Sequence, residues 1–200
     1  MKSETKEIFK LGLKYYLGES IEQNYEKAFE LFKKAASEGD IEAKYYLACC
    51  YEYGNGVEEN YQEAIKIYEE LAEQGYIKAQ KDLITLYDLG LGVEKNYIKA
   101  FEWSKKAALQ GDAEAQNELA FRYKYGMGVE QNYNEAFKWY EKAAMKDDYY
   151  LYNLSICYRD GIGVEKNYEK FFELLKISAQ KGDCFAQDEI KLWREFGVEV

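Results

Sequence analysis

One segment of this chain occurs five times in register, and that recurrence limits what the chain can fold into more than any other feature. YGNGVEENYQEAIKIYEELAEQG, beginning at Tyr53, comes back as LGLGVEKNYIKAFEWSKKAALQG from Leu89 and as YGMGVEQNYNEAFKWYEKAAMKD from Tyr125. DGIGVEKNYEKFFELLKISAQKG begins at Asp160. LGESIEQNYEKAFELFKKAASEG, from Leu17, is a degenerate copy in which Ser20 and Ile21 replace a glycine and a valine. Val57, Val93 and Val129 lie 36 residues apart, and Val164 follows after 35. A period of this size marks a repeat architecture, in which each unit buries its apolar faces only against its neighbours.

Each unit reads as two helices. The first, typified by residues 41–53, carries Ala43, Leu47 and Tyr51 at i, i+4 and i+8, which form one apolar stripe. Ala79, Leu83 and Tyr87 repeat it, as do Ala115, Leu119 and Tyr123. The second helix follows an asparagine, at Asn24, Asn60, Asn96, Asn132 and Asn167. An N-cap asparagine accepts an orphan backbone N–H of the first turn. Glu63 and Glu135, three residues further on, complete the pattern of a capping box. Small and large residues alternate along the second helix, as in Ala64, Tyr68 and Ala72, and let helices approach closely. It ends at Gly39, Gly75, Gly111 and Gly182, where a left-handed C-cap suits glycine. The predicted fold is all-α, a solenoid of about five helix-pair repeats with a 36-residue period, at residues 5–40, 41–76, 77–112, 113–147 and 148–183. Residues 184–200 repeat the first-helix pattern through Ala186 and Ile190 and then stop, so they read as a C-terminal capping helix. No linker or low-complexity stretch interrupts the pattern, and residues 1–200 are assigned to a single elongated domain.

These residues resemble the Sel-one-like repeat (SLR) family, relatives of the tetratricopeptide repeat. The resemblance rests on L-x-x-x-Y in the first helix, G-x-G-V in the turn, and A-x-x-W/Y-x-x-A-A then G in the second; Leu11, Gly12 and Tyr15 supply the opening of the first repeat. It implies a right-handed superhelix whose first helices line a concave side, and a role as an adaptor that holds proteins together. Departures cluster in the fifth repeat. One residue is missing near Asp147 and Asp148, Tyr150 takes the small alanine position, and Phe171 replaces the alanine seen at Ala136, which predicts a local shift in stacking there.

Composition narrows the function. Proline is absent, as long unbroken helices require. A formal charge of −10 argues against nucleic acid, whose phosphates need Lys and Arg, and against an anionic membrane surface. The N-terminus has no apolar run after its lysines, and no apolar stretch is long enough to span a bilayer, so a cytoplasmic location is expected. The four cysteines, Cys49, Cys50, Cys157 and Cys184, are irregularly spaced and read as reduced. With no histidine and no C-x-x-C, neither a zinc site nor any cofactor is expected.

Motifs that could carry chemistry have structural explanations. G-x-G occurs four times between helices, where turn geometry accounts for it better than phosphate binding. S-x-x-K, the nucleophile pattern of penicillin-recognising serine enzymes, appears at Ser3–Lys6 and Ser178–Lys181 without K-T-G or S-D-N. Some cysteine-rich bacterial SLR proteins carry a β-lactamase label, but this chain lacks their regularly paired cysteines; β-lactam hydrolysis remains an alternative, as does a self-associating structural module. No acid falls on a predicted buried stripe, as a general acid would need. Trp103 and Trp139 are read as packing between repeats, and Trp193 as closing the cap.

First-helix positions off the apolar stripe are expected to face the concave groove. The candidate partner-binding residues are Phe9, Tyr16, Tyr45 and Tyr46, then Lys81, Asn117, Phe121 and Lys124, and finally Tyr149, Tyr152, Asn153 and Arg159. Aromatic residues and Arg are enriched in binding hot spots. A protein or peptide partner is therefore expected on a non-enzymatic scaffold. The same tyrosines could instead pack between neighbouring first helices.

Overall fold

The computed structural model describes residues 2–198; the side chain of Ser3 and residues 199–200 of the expected cap lie outside the described residues. The fold is all-α, with eleven α-helices in sequential pairs and no strand among the described residues. The first helices of successive repeats are α1 (Lys2–Leu17), α3 (Ile41–Tyr53), α5 (Ile77–Leu89), α7 (Ala113–Tyr125) and α9 (Leu151–Asp160). The second helices are α2 (Tyr25–Ser37), α4 (Tyr61–Glu73), α6 (Tyr97–Leu109), α8 (Tyr133–Lys146) and α10 (Tyr168–Gln180), and α11 (Cys184–Glu195) follows. The chain divides into two compact units, Met1–Asn96 with α1 to α5 and Tyr97–Val200 with α6 to α11. No helix among the described residues is long and apolar enough to cross a membrane.

The recurring asparagine does two jobs. At Asn24, Asn60, Asn132 and Asn167, Oδ1 accepts from the backbone N–H three residues on, at 2.9–3.0 Å. The asparagine's own N–H donates back to a first-helix carbonyl, from Asn24 to Tyr15, from Asn60 to Tyr51 and from Asn132 to Tyr123. That bond corrects the expected capping box, because the donor its glutamate would satisfy is already taken. Glu63 and Glu135 turn instead to Lys66 and Lys138. At the other end of α2, Gly39 adopts φ 91°, its N–H donates to Ala36 O, and the Asp40 N–H donates to Ala35 O. These bonds satisfy carbonyls that the last turn would otherwise leave unpaired.

The second glycine of each G-x-G pair is held by more than its turn. Gly56 has φ 79°, and a Cβ there would stand 2.2 Å from Tyr25 O at the start of α2. Gly128 stands in the same way against Tyr97 O, and Gly163 against Tyr133 O, at 1.9 and 2.1 Å. Each of these turns is seated on the N-terminal turn of the preceding second helix, and a side chain would push the two apart. Ser20 occupies the equivalent position in the first repeat with φ 65°, where no preceding second helix lies among the described residues.

In the first unit Ala28, Phe29, Phe32 and Cys50 form a buried cluster between α2 and α3, and Phe9, Tyr16, Tyr46, Leu47 and Tyr51 pack against it. Burying side chains of this size stabilises a fold by about 1.5–3 kcal/mol each. In the second unit Ala100, Ala107, Ala136 and Ala143 are wholly buried. Trp103 and Trp139 are also buried, with the ammonium groups of Lys106 and Lys142 lying 4.0 and 3.8 Å from their ring centroids. The fifth repeat departs from the others in its turn and in the length of its first helix. Asp147, at φ −148°, stands where the other repeats have a left-handed glycine, and a 3-10 turn at Asp148–Tyr150 leads into an α9 of 10 residues where α7 has 13. Trp193 sets its ring edge-on against Phe172 and Phe171, at 5.4 and 6.0 Å, and so fixes α11 to α10.

Candidate functional site

In the first unit, three of the residues expected in a groove turn toward the core. The Phe9 ring lies 5.9 Å from Phe32 and 5.7 Å from Tyr46, and Tyr46 stacks on Phe32 at 5.2 Å. The Tyr16 hydroxyl accepts from Asn55 Nδ2 at 3.0 Å. These rings fill the space between α1 and α3, the packing role that the sequence left open. Lys81 is half-buried on α5.

Tyr45 belongs to a buried polar cluster that the sequence did not reveal. Tyr68 of α4 donates to Glu52 Oε2 at 2.7 Å and also contacts Cys49 Sγ at 3.3 Å. The Tyr45 hydroxyl reaches Asp82 of α5 and Cys49, and its ring lies against those of Tyr68 and Tyr76 at 5.8 and 5.3 Å. Burial pushes the Asp82 carboxyl up to about 6, against the hydrogen bond from Tyr45, and the neighbouring Glu52 charge adds to the rise. Burial likewise pushes the Cys49 thiol up to about 11, which leaves it un-ionised and a poor nucleophile. The expectation that no acid would be buried is thus corrected at Glu52, which is 7% exposed. Because α3 packs against both α2 and α4, its buried residues are Ala43, Ala48, Cys49, Cys50 and Glu52, and of the expected stripe Leu47 and Tyr51 are only half-buried.

In the second unit the candidates are more often engaged than free. Asn153 Nδ2 donates to Asn117 Oδ1 at 2.7 Å, tying α9 to α7 across 36 residues. Tyr152 donates to Glu189 Oε2 of α11 at 2.9 Å and stacks on Phe185. Arg159 binds Asp160 through Nε at 2.8 Å and also donates to Glu189, and these carboxylates hold its guanidinium firmly charged. Tyr152 and Arg159 therefore hold the capping helix. Lys124 is half-buried, its ammonium 5.0 Å from the Tyr125 ring. Phe121 and Tyr149 are exposed, at 39% and 68%. Sequence reasoning passed over Arg122, which is fully buried and paired with Glu118 at 2.9 Å.

It also passed over a series of apolar residues at the last position of the first helices. In the first unit these are Leu17, Tyr53 and Leu89, exposed by 49%, 61% and 62%; Tyr125 holds the same position in the second and is 53% exposed. Their spacing of 36 residues was the signal that could have found them.

A notch of about 650 Å³ opens in the second unit at the irregular turn, between Met145 to Tyr149 on one side and Ser178 to Asp183 on the other. It contains the S-x-x-K pair of α10. Ser178 is wholly buried, and Lys181 forms an ion pair with Asp148 at 2.8 Å that raises its pKa and keeps it protonated. A lysine acting as base must be neutral and a serine nucleophile must be reachable, and this pair meets neither requirement. Among the described residues, no group of three or more Cys, Asp and Glu side chains is placed to hold a metal ion.

The Sel1 repeat family matches residues 8–40, 41–76, 85–112, 113–148 and 149–183. Among solved structures, a protective antigen of uropathogenic Escherichia coli with an SLR fold is 36% identical across 98% of this chain, with a TM-score of 0.87; this chain spans 42% of that protein. A Sel1 repeat protein from Oxalobacter formigenes is 29% identical, covering 94% of this chain and 78% of its own length, with a TM-score of 0.83. An immunity protein from Pseudomonas aeruginosa, 20% identical over 91% of this chain and 66% of its own, shares the fold at a TM-score of 0.55. No curated protein matches the chain. Five matched repeats, four of them with the G-x-G turn, place this chain in the Sel1 repeat family as an all-α repeat scaffold.

Proposed function

We propose that this chain is a non-enzymatic, cytoplasmic scaffold that binds a peptide or protein segment through the exposed ends of the first helices within its units. The observation that carries this reading is the set of exposed apolar residues ending those helices, Leu17, Tyr53 and Leu89 in one unit and Tyr125, with Phe121 a turn earlier, in the other. Apolar side chains left in water at a constant register favour an interaction surface over scattered exposure. Cys49, Cys50, Cys157 and Cys184 are free, three of them buried, in keeping with a reducing compartment. The buried Ser178 and protonated Lys181 weigh against β-lactam hydrolysis.

The test is retention of a partner from lysate by wild type and by a Tyr53→Ser, Leu89→Ser, Tyr125→Ser triple variant. Binding should fall at least tenfold while the melting temperature moves little, since these side chains are mostly in water. A partner held equally by both proteins would exclude these helix ends. Tyr45→Ala and Tyr152→Ala are unsuitable probes, because both side chains hold the fold together.

A further inference from the structure

We infer that the junction between α3 and α5 is a pH-sensitive joint of the first unit, closed in mild acid and loosened in the neutral range, because it sets one carboxylate against another where the second unit sets an arginine against a carboxylate. The joint stands apart from the scaffold reading; only its bearing on partner binding rests on that reading. Within each unit, successive first helices meet through the same three positions. In α3 and α5 these are Tyr45, Glu52 and Asp82; in α9 and α11, 107 residues further on, they are Tyr152, Arg159 and Glu189. The tyrosine does the same work in both, since Tyr152 donates to Glu189 at 2.9 Å and the Tyr45 hydroxyl reaches Asp82. The remaining corner differs. Arg159 donates to Glu189, whereas Glu52 brings a second negative charge toward Asp82. Between α7 and α9 the junction is neutral, with Asn153 donating to Asn117 at 2.7 Å.

The surroundings of Asp82 do little to offset its charge. Its Oδ2 is buried and accepts no hydrogen bond. From α3 it faces Tyr45, Cys49 and Glu52, and Tyr68 of α4 adds its hydroxyl to the same cluster but donates to Glu52. Burial raises the pKa of Tyr45, Tyr68 and Cys49 alike, so all three stay protonated and none supplies a counter-charge. On α5 itself Lys78 and Lys81 favour the ion, but neither reaches Oδ2, and the Lys78 ammonium turns to Glu42 at 3.4 Å. Burial, opposed by the Tyr45 hydrogen bond and aided by Glu52, holds the carboxyl at about 6. Opening the junction returns Asp82 to its ordinary range, so the pull to open grows as pH rises toward about 6 and is complete above it. The Tyr53 hydroxyl reaches Glu52, and Leu89 ends the helix that carries Asp82, so the joint governs how these two proposed contacts are held.

The test is amide hydrogen exchange of the full chain at pH 5 and pH 8, with each rate corrected for the intrinsic exchange of its amide. Protection in α3 and α5 should be about tenfold lower at pH 8, the factor expected for one carboxyl held at about 6 instead of 3.8. The junction of α9 and α11 is the control within the same molecule and should change by less than about threefold, since Arg159 keeps its charge at both pH values. Asp82→Asn should abolish the pH dependence and leave α5 protected at pH 8. Glu52→Gln, whose amide oxygen still accepts from Tyr68, should reduce the dependence by removing the facing charge. The inference is overturned by equal protection of α3 and α5 at the two pH values, by an equal loss in α9 and α11, or by an Asp82→Asn variant that keeps the wild-type dependence. An Asp82→Asn variant that melts below wild type at pH 8 overturns it as well, because removing that charge must favour a closed junction. All of these readings come from the free chain. A pH-silent junction would therefore leave the scaffold reading standing, and a partner indifferent to Tyr53, Leu89 and Tyr125 would leave the joint standing.

Discussion

Asp82 faces the Tyr45 hydroxyl and the Glu52 carboxylate from α3, with Lys78 and Lys81 near it on its own helix, and burial holds its carboxyl at about 6 instead of 3.8. Its folded pKa therefore lies above its unfolded one. The stabilisation from protonating it is complete below the unfolded value and is lost as pH rises through about 6. At pH 8 the charge is buried at a cost that Asp82→Asn removes, so the variant should be more stable than wild type by about 1–3 kcal/mol, and the gap should narrow by about 1 kcal/mol at pH 5. Urea unfolding at the two pH values measures this, and a gap independent of pH would show that Asp82 is no more buried than an ordinary surface acid. None of this was legible in the sequence. Asp82 and Glu52 lie 30 residues apart on helices whose apolar stripes omit both, and their encounter depends on how α3, α4 and α5 are rotated against one another.

Among the elements, the turns and caps were readable and their partners were not. Asn60 was identifiable as an N-cap from its position alone, but the tie from its N–H to Tyr51 O needed the paired helices to be in place. Glycines at positive φ divide in the same way. Gly39 and Gly56 both adopt a left-handed backbone, with φ of 91° and 79°, yet nothing lies within 4 Å of a Cβ at Gly39 while Tyr25 O blocks one at Gly56. Gly39→Ala should cost only the left-handed backbone strain, about 1–2 kcal/mol. Gly56→Ala should cost more than about 3 kcal/mol, because backbone at 2.2 Å must also move. Comparable melting losses for the two variants would remove the idea that the turn is seated on α2.

Across the whole chain, protection against unfolding should follow how many neighbours each helix has, as expected for a repeat array. Only Ala186 of α11 is buried, and the helix is held largely by Glu189, which accepts from Tyr152 and Arg159, and by Trp193. Hydrogen exchange should therefore be faster in α11 than in α7 or α8, and Glu189→Ala should raise it further in α11 and α9 while leaving α3 and α4 unchanged. Uniform exchange through all these helices would contradict that picture. The period, the helix pairs and the irregular fifth repeat could all be read from Val57, Val93, Val129 and Val164 and from the residues around them. The binding candidates could not, because Tyr46 against Phe32 and Tyr152 against Glu189 look the same in sequence as side chains waiting for a partner. The seated glycine has a consequence for how such a chain can change over generations. The residue at that turn answers to the repeat before it, so the smallest block that can be copied is a junction between repeats. Inserting residues 5–40 between two others would bring Ser20 under a helix that admits no side chain, whereas a copy of residues 41–76 already carries Gly56 and could be inserted repeatedly.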